Sequence, residues 1–100
     1  MSRVSGKPYF VYVLWSEGGR RFYVGVSEDP EVRLQQHNHG GRGWTSRYAP
    51  WRLVYTEPRR DYQAARKREL QLKAQKRGQG FWTATGLDPA QFFTGSLGIP

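Results

Sequence analysis

The chain has 100 residues, 37% of them hydrophobic and 15% aromatic, which is enough for one modest core and argues against disorder throughout. Sixteen Lys and Arg against eight Asp and Glu give a net charge of +8, a balance that concentrates polyanions near the surface. The absence of Cys excludes disulfides and thiolate metal sites, and no apolar run approaches the roughly 20 residues that span a bilayer.

Taken in chain order, Tyr9 to Ser16 reads as a strand. Phe10, Tyr12 and Leu14 alternate with Val11, Val13 and Trp15, so both faces are apolar or aromatic and the strand is expected to be central and covered on both sides. The apolar stretch is too short for a signal peptide, and a cytoplasmic location without membrane contact is expected. Glu17-Gly18-Gly19-Arg20 carries turn chemistry, and Arg21 to Ser27 completes a hairpin, with Tyr23 and Gly25 on one face. A glycine beside a tyrosine on a strand face leaves room for another group to approach closely.

Asp29-Pro30 is a helix start, Asp capping free amides and Pro fitting the first helical position. The helix is expected over about Pro30 to Asn38. Its Arg33 and His37 lie four apart on one face, with Leu34 anchoring it to the core. His39 to Pro50 is a glycine-rich loop. Trp51 to Glu57 reads as a third strand, Leu53 and Tyr55 alternating with Arg52, Val54 and Thr56. Asp61 offers a second cap, and Tyr62 to Arg77 a long helix ended by Gly78 and Gly80. Beyond it, Asp88-Pro89 offers one more short helix, and Phe81, Trp82, Phe92 and Phe93 are expected to pack back onto the domain. The order predicts an α+β fold: a small, mainly antiparallel three-stranded sheet flanked by helices in a single domain of residues 1–100, with the motif-bearing part at 9–77 and the 78–100 tail packed on it.

Glu69 is the most informative residue for chemistry. Tyr62, Ala65, Glu69 and Leu72 fall at three- and four-residue spacing, so one carboxylate interrupts the core-facing stripe. A buried carboxylate needs a cation or donors. Two readings fit: an ion pair with Arg66 or Lys73, or a site for Mg²⁺, which keeps its waters and needs few protein ligands. Arg33 offers a rigid fork suited to phosphate, or else a solvated charge. His37 reads as a polar residue near the last carbonyls of its helix. Basic residues crowd the long helix and its approach. Arg42 and Arg47 flank the glycine-rich loop among Trp44, Tyr48 and Trp51, a mixture able to touch phosphates and stack on bases. Arg42, Arg47, Arg66 and Lys73 are the candidate nucleic-acid contacts.

Together these positions resemble the GIY-YIG nuclease superfamily, in particular its small stand-alone bacterial type and the N-terminal nuclease domain of the excinuclease C subunit. Phe10-Val11-Tyr12 looks like the first half of the signature and Tyr23-Val24-Gly25 the second. Asp29 to Asn38 is similar to the arginine helix, and Ala64 to Glu69 to the helix bearing the metal-binding glutamate. Phe10 replaces the glycine of the first half, Val26 stands where the excision-repair branch has Lys, and the only Asn is Asn38.

The resemblance implies a metal-dependent endonuclease hydrolysing DNA phosphodiester bonds, structure-selective, with a role in DNA repair or recombination. It implies Mg²⁺ or Mn²⁺ on Glu69, Tyr23 as general base, Tyr12 orienting the water or the other Tyr, and Arg33 stabilising charge on the phosphate. His37 would contact a phosphate or share in proton transfer. Nucleic acid, DNA foremost, is the expected partner, with room for a protein that targets the domain. The alternatives are a non-cleaving or partner-activated nucleic-acid-binding module and a basic domain docking on ribonucleoprotein.

Overall fold

The structure, a computed structural model, describes residues 8–39, 45, 47–75 and 78–97, with side chains as far as Phe93. Strand β1 (Tyr9–Ser16) takes the middle of a three-stranded antiparallel sheet, between β2 (Arg21–Ser27) and β3 (Trp51–Arg59). Every residue from Val11 to Ser16 is buried, as expected of a strand apolar on both faces. Tyr12 and Leu14 join Trp51, Leu34 and Leu53 on one face. Val11, Val13 and Trp15 join Phe22, Val24, Ala65 and Leu72 on the other.

Helix α1 (Pro30–His39) covers the Tyr12 face through Leu34. Helix α2 (Tyr62–Gln75) covers the Val11 face through Ala65 and Leu72. Both predicted caps form: Asp29 Oδ1 accepts from the Val32 amide at 3.2 Å, and Asp61 Oδ1 from the Ala64 amide at 2.9 Å. The expected extension of α2 to Lys76 and Arg77 lies outside the described residues.

Three expectations are corrected. β3 runs two residues further, through Pro58 to Arg59; as an edge strand it tolerates a residue with no amide to donate. Its simple alternation is broken by a bulge, since Val13 faces Tyr55 while Leu14 faces Leu53. Val54 is the extra residue, so Leu53 packs on the α1 side while Val54 and Tyr55 pack on the α2 side. Thirdly, α2 has ended by Gly78, which is extended, but Gly80 belongs to a further helix that was not expected. Gly78 is the N-cap of helix α3 (Gln79–Thr85), which ends at Gly86 with φ +76. A Cβ on Gly80 would stand 3.0 Å from the Gln75 side chain, so this glycine lets α3 follow α2 closely.

Asp88 starts α4 (Ala90–Leu97) by accepting from the Ala90 amide at 2.9 Å. The tail aromatics pack back as expected: Phe92 and Phe93 meet Trp15 edge-on at 5.1 and 5.2 Å, and Phe81 lies 5.1 Å from Phe22. They complete the α2-side core.

Candidate active site

On the first hairpin, Tyr12 pairs directly with Gly25. The tyrosine ring lies over the glycine: a Cβ there would stand 2.6 Å from both Tyr12 Cζ and Oη. The close approach that a strand glycine permits is therefore made by the other signature tyrosine. Tyr23, two residues before Gly25 and on the same face, places its ring 6.2 Å from that of Tyr12.

Helix α1 brings the remaining groups. His37 is 8% exposed, and its Nε2 lies 3.0 Å from the Tyr12 hydroxyl. Its ring is 4.6 Å from Tyr23 and 6.1 Å from Tyr12. The reading of His37 as a polar helix-end residue is thus corrected: it fills the space between α1 and the two tyrosines. Arg33, one turn earlier, has its pKa raised by the neighbouring phenols, Tyr12 foremost and Tyr23 after it. Its Nη1 donates to Gln36 Oε1 at 2.7 Å.

The electrostatics assign the protons. Burial pushes the Tyr12 phenol up to about 12, against the opposing Arg33 guanidinium, with the nearby Tyr23 and Glu69 adding to the rise. The same pair of effects, burial first and the Arg33 charge second, lowers the His37 pKa. At neutral pH His37 is therefore an uncharged imidazole and Tyr12 a neutral phenol. The Tyr12 hydroxyl and His37 Nε2 share one hydrogen bond, whose direction follows the imidazole tautomer.

Glu69 is 6% exposed. Arg66 Nη1 meets its Oε1 at 2.7 Å, and Lys73 Nζ its Oε2 at 2.9 Å, so the ion-pair reading holds and both cations share the carboxylate. Glu69 stands on α2, across the sheet from α1, yet its charge is felt at the Tyr12 hydroxyl. Among the described residues no cluster of three or more His, Asp or Glu side chains could hold a metal. A lone carboxylate fits a hard cation that keeps most of its waters, and does not fit one that needs three protein ligands. Such a cation would displace Arg66 or Lys73 from one oxygen.

The structure does not draw all candidate contacts together. Arg66 and Lys73 flank Glu69 with side chains 47% and 41% exposed. Arg47 is exposed in a helical stretch, where a loop was expected, and Arg42 lies outside the described residues. Tyr62, placed by spacing on the buried stripe of α2, is instead half exposed.

Two contributors escape sequence reasoning. Asn38 clamps the Trp51 backbone, its Nδ2 donating to the carbonyl at 3.1 Å and its Oδ1 accepting from the amide at 2.5 Å. This fixes α1 to β3 beside Trp51, whose ring is 6.3 Å from Tyr23. The one hint was an Asn directly after His37 with no cap to make. Glu57 accepts from Tyr55 and Arg68 and pairs with Arg59, docking α2 on β3; in the sequence it marked only the expected end of the third strand. An open cleft of about 580 Å³ lies elsewhere, between Leu34, Trp51 and Leu53. Glu17 and Glu31 on its rim repel a polyanion.

The GIY-YIG catalytic domain profile matches residues 8–81. A structure-specific endonuclease subunit SLX1 homolog of Giardia intestinalis is 48% identical over 42 residues, 39% of this chain and 12% of that protein. Two UPF0213 proteins from strains of Xanthomonas campestris pv. campestris are each 33% identical over 88 residues, 85% of this chain and 85% of theirs. The chain thus aligns with nearly the whole of the bacterial proteins and with a small part of the Giardia one. No solved structure matches.

Proposed function

This chain belongs to the GIY-YIG catalytic-domain family, and on that premise we propose that it is a metal-dependent endonuclease hydrolysing DNA phosphodiester bonds. The observation that carries this reading is the buried Glu69 carboxylate, held amid a basic helix. A protein that only holds nucleic acid has no use for such a carboxylate, which repels phosphate.

In this proposal Glu69 holds Mg²⁺ or Mn²⁺, which when bound neutralises charge on the scissile phosphate and its leaving oxygen. The side chains of this chain do the rest. Arg33 presents the remaining donors of its guanidinium to the non-bridging oxygens, where charge grows in the transition state. Tyr23, only partly buried, faces the substrate and takes the proton of the attacking water. Tyr12 is too weak an acid to act at neutral pH. It positions Arg33 and shares a hydrogen bond with His37, which stays neutral and fixes the phenol's orientation. Arg47, Arg66 and Lys73, with Arg42, contact phosphates.

The name of the Giardia relative supports two finer proposals. One is selectivity for DNA structure rather than sequence, in repair or recombination. The other is dependence on a second protein for targeting. A second reading, a non-cleaving nucleic-acid-binding module, is favoured by one observation: Arg66 and Lys73 already balance Glu69. Incubating branched, single-stranded and duplex DNA with Mg²⁺ or Mn²⁺ separates the two. Nuclease action requires cleavage by the wild type and its loss in Glu69→Gln and Tyr23→Phe. Binding without cleavage in every case leaves only the second reading.

A further inference from the structure

Tyr62 is an exposed aromatic that the proposed chemistry does not use. Half its surface faces solvent, yet it is not loose. The Tyr9 ring meets it edge-on at 5.4 Å and 74°. A held, half-exposed ring offers a flat apolar surface at little entropic cost.

Its place on α2 gives that surface meaning. Tyr62, Arg66, Glu69 and Lys73 follow one another at four-, three- and four-residue steps, so they form one stripe along the helix. Arg66 and Lys73 are each nearly half exposed, and each keeps donors beyond those used by Glu69. Arg60, almost fully exposed, precedes the helix at the Tyr62 end. At about 1.5 Å per residue, Tyr62 stands roughly 10 Å from Glu69 along the axis. Stacked nucleotides of one strand repeat about every 3.4 Å, so that distance is about three nucleotides.

We propose that this stripe is a track for an unpaired DNA strand, with Tyr62 as the platform on which a base about three nucleotides from the phosphate opposite Glu69 stacks. A paired base hides its faces within the duplex and cannot use the platform; a splayed arm can. The inference deepens the nuclease reading, on which it rests for the position of the phosphate, and it makes Tyr62 a determinant of structure selectivity.

The test is affinity, measured in EDTA so that cleavage does not enter, for a duplex with a splayed single-stranded arm and for a fully paired duplex of the same sequence. Stacking of one base predicts a preference of roughly 5- to 140-fold for the splayed form. Tyr62→Ala should bring the two affinities together, Tyr62→Phe should keep them apart, and Lys73→Ala should weaken both alike. Matching circular dichroism spectra show that the variants fold. Equal binding of the two forms by wild type, or an unchanged ratio in Tyr62→Ala, overturns the proposal, as does tighter binding of an RNA arm than of the DNA arm. Selective binding without cleavage in Mg²⁺ would leave the track standing and sink the nuclease reading instead.

Discussion

Replacing Gly25 by Ala tests the geometry on which the whole site depends. The new Cβ would stand 2.6 Å from Tyr12 Cζ and Oη and 3.0 Å from Cε2, well inside van der Waals contact. A flexible, exposed ring would swing aside, but Tyr12 is fully buried and its hydroxyl is engaged by His37. The strain must therefore move the ring or separate the paired strands. Overpacking of this kind costs about 1–3 kcal/mol, and in a domain of this size each kcal/mol lowers Tm by roughly 4–8 °C. Thermal and urea unfolding followed by tryptophan fluorescence would read the loss. A displaced Tyr12 also misplaces Arg33 and His37, and a shift of about 1 Å near reacting groups costs on the order of 10²-fold in rate. Because Tyr12→Phe removes one of the two closest atoms, the double variant should lose less than the sum of the single losses. Stability within about 0.5 kcal/mol of wild type, together with undiminished DNA cleavage, would refute the packing argument.

Other predictions follow from the same arrangement. Arg33→Lys keeps the charge but not the fork, so cleavage should fall by roughly 10²–10³-fold while DNA affinity changes little; retention of full rate would show that Arg33 serves binding alone. His37 has a folded pKa below its ordinary 6.5, so the unfolded chain binds more protons in the window just below that value. Its contribution is intact above pH 6.5 and declines as pH falls towards the folded pKa. Urea unfolding from pH 7.5 down to 5 should show that slope, reduced in His37→Gln. Arg68→Ala should destabilise by about 1–3 kcal/mol, because it strips a charged donor from the mostly buried Glu57, and calorimetry of the variant checks it. Arg66→Ala should lower the salt dependence of DNA binding by about one counterion in a filter-binding series, the mark of a lost phosphate contact.

Much of this was legible from residue order. The central place of β1 followed from apolar residues on both its faces, and the helix starts at Asp29 and Asp61 from local capping chemistry. Glu69 announced itself by breaking an apolar stripe. Other features were not legible, because they arise from partners distant in sequence. The tie between Tyr12 and His37 spans 25 positions, and neither residue carries a local sign of the other. The Asn38 clamp depends on where β3 passes. α3 was hidden because Gly78 and Gly80 signal a break locally, whereas burial of Phe81 and Thr85 holds the helix in place. The bulge at Val54 left no mark in the strand's apolar pattern. Tyr62 had the spacing of a core residue, but it lies near the start of α2, where the apolar contacts of the helix have yet to begin.

The packing of Phe81, Phe92 and Phe93 against Trp15 and Phe22 has a kinetic consequence. β1 is the earliest strand in the sequence, yet one of its faces is completed by side chains from across nearly the whole described length. Contacts so far apart are slow to find, because the intervening chain must first be gathered up. Until they form, β1 and β2 present Trp15 and Phe22 uncovered, the kind of surface through which partly folded chains stick to one another. The aromatic tail thus acts late, as a closure whose arrival decides whether the sheet becomes a closed domain or an aggregate.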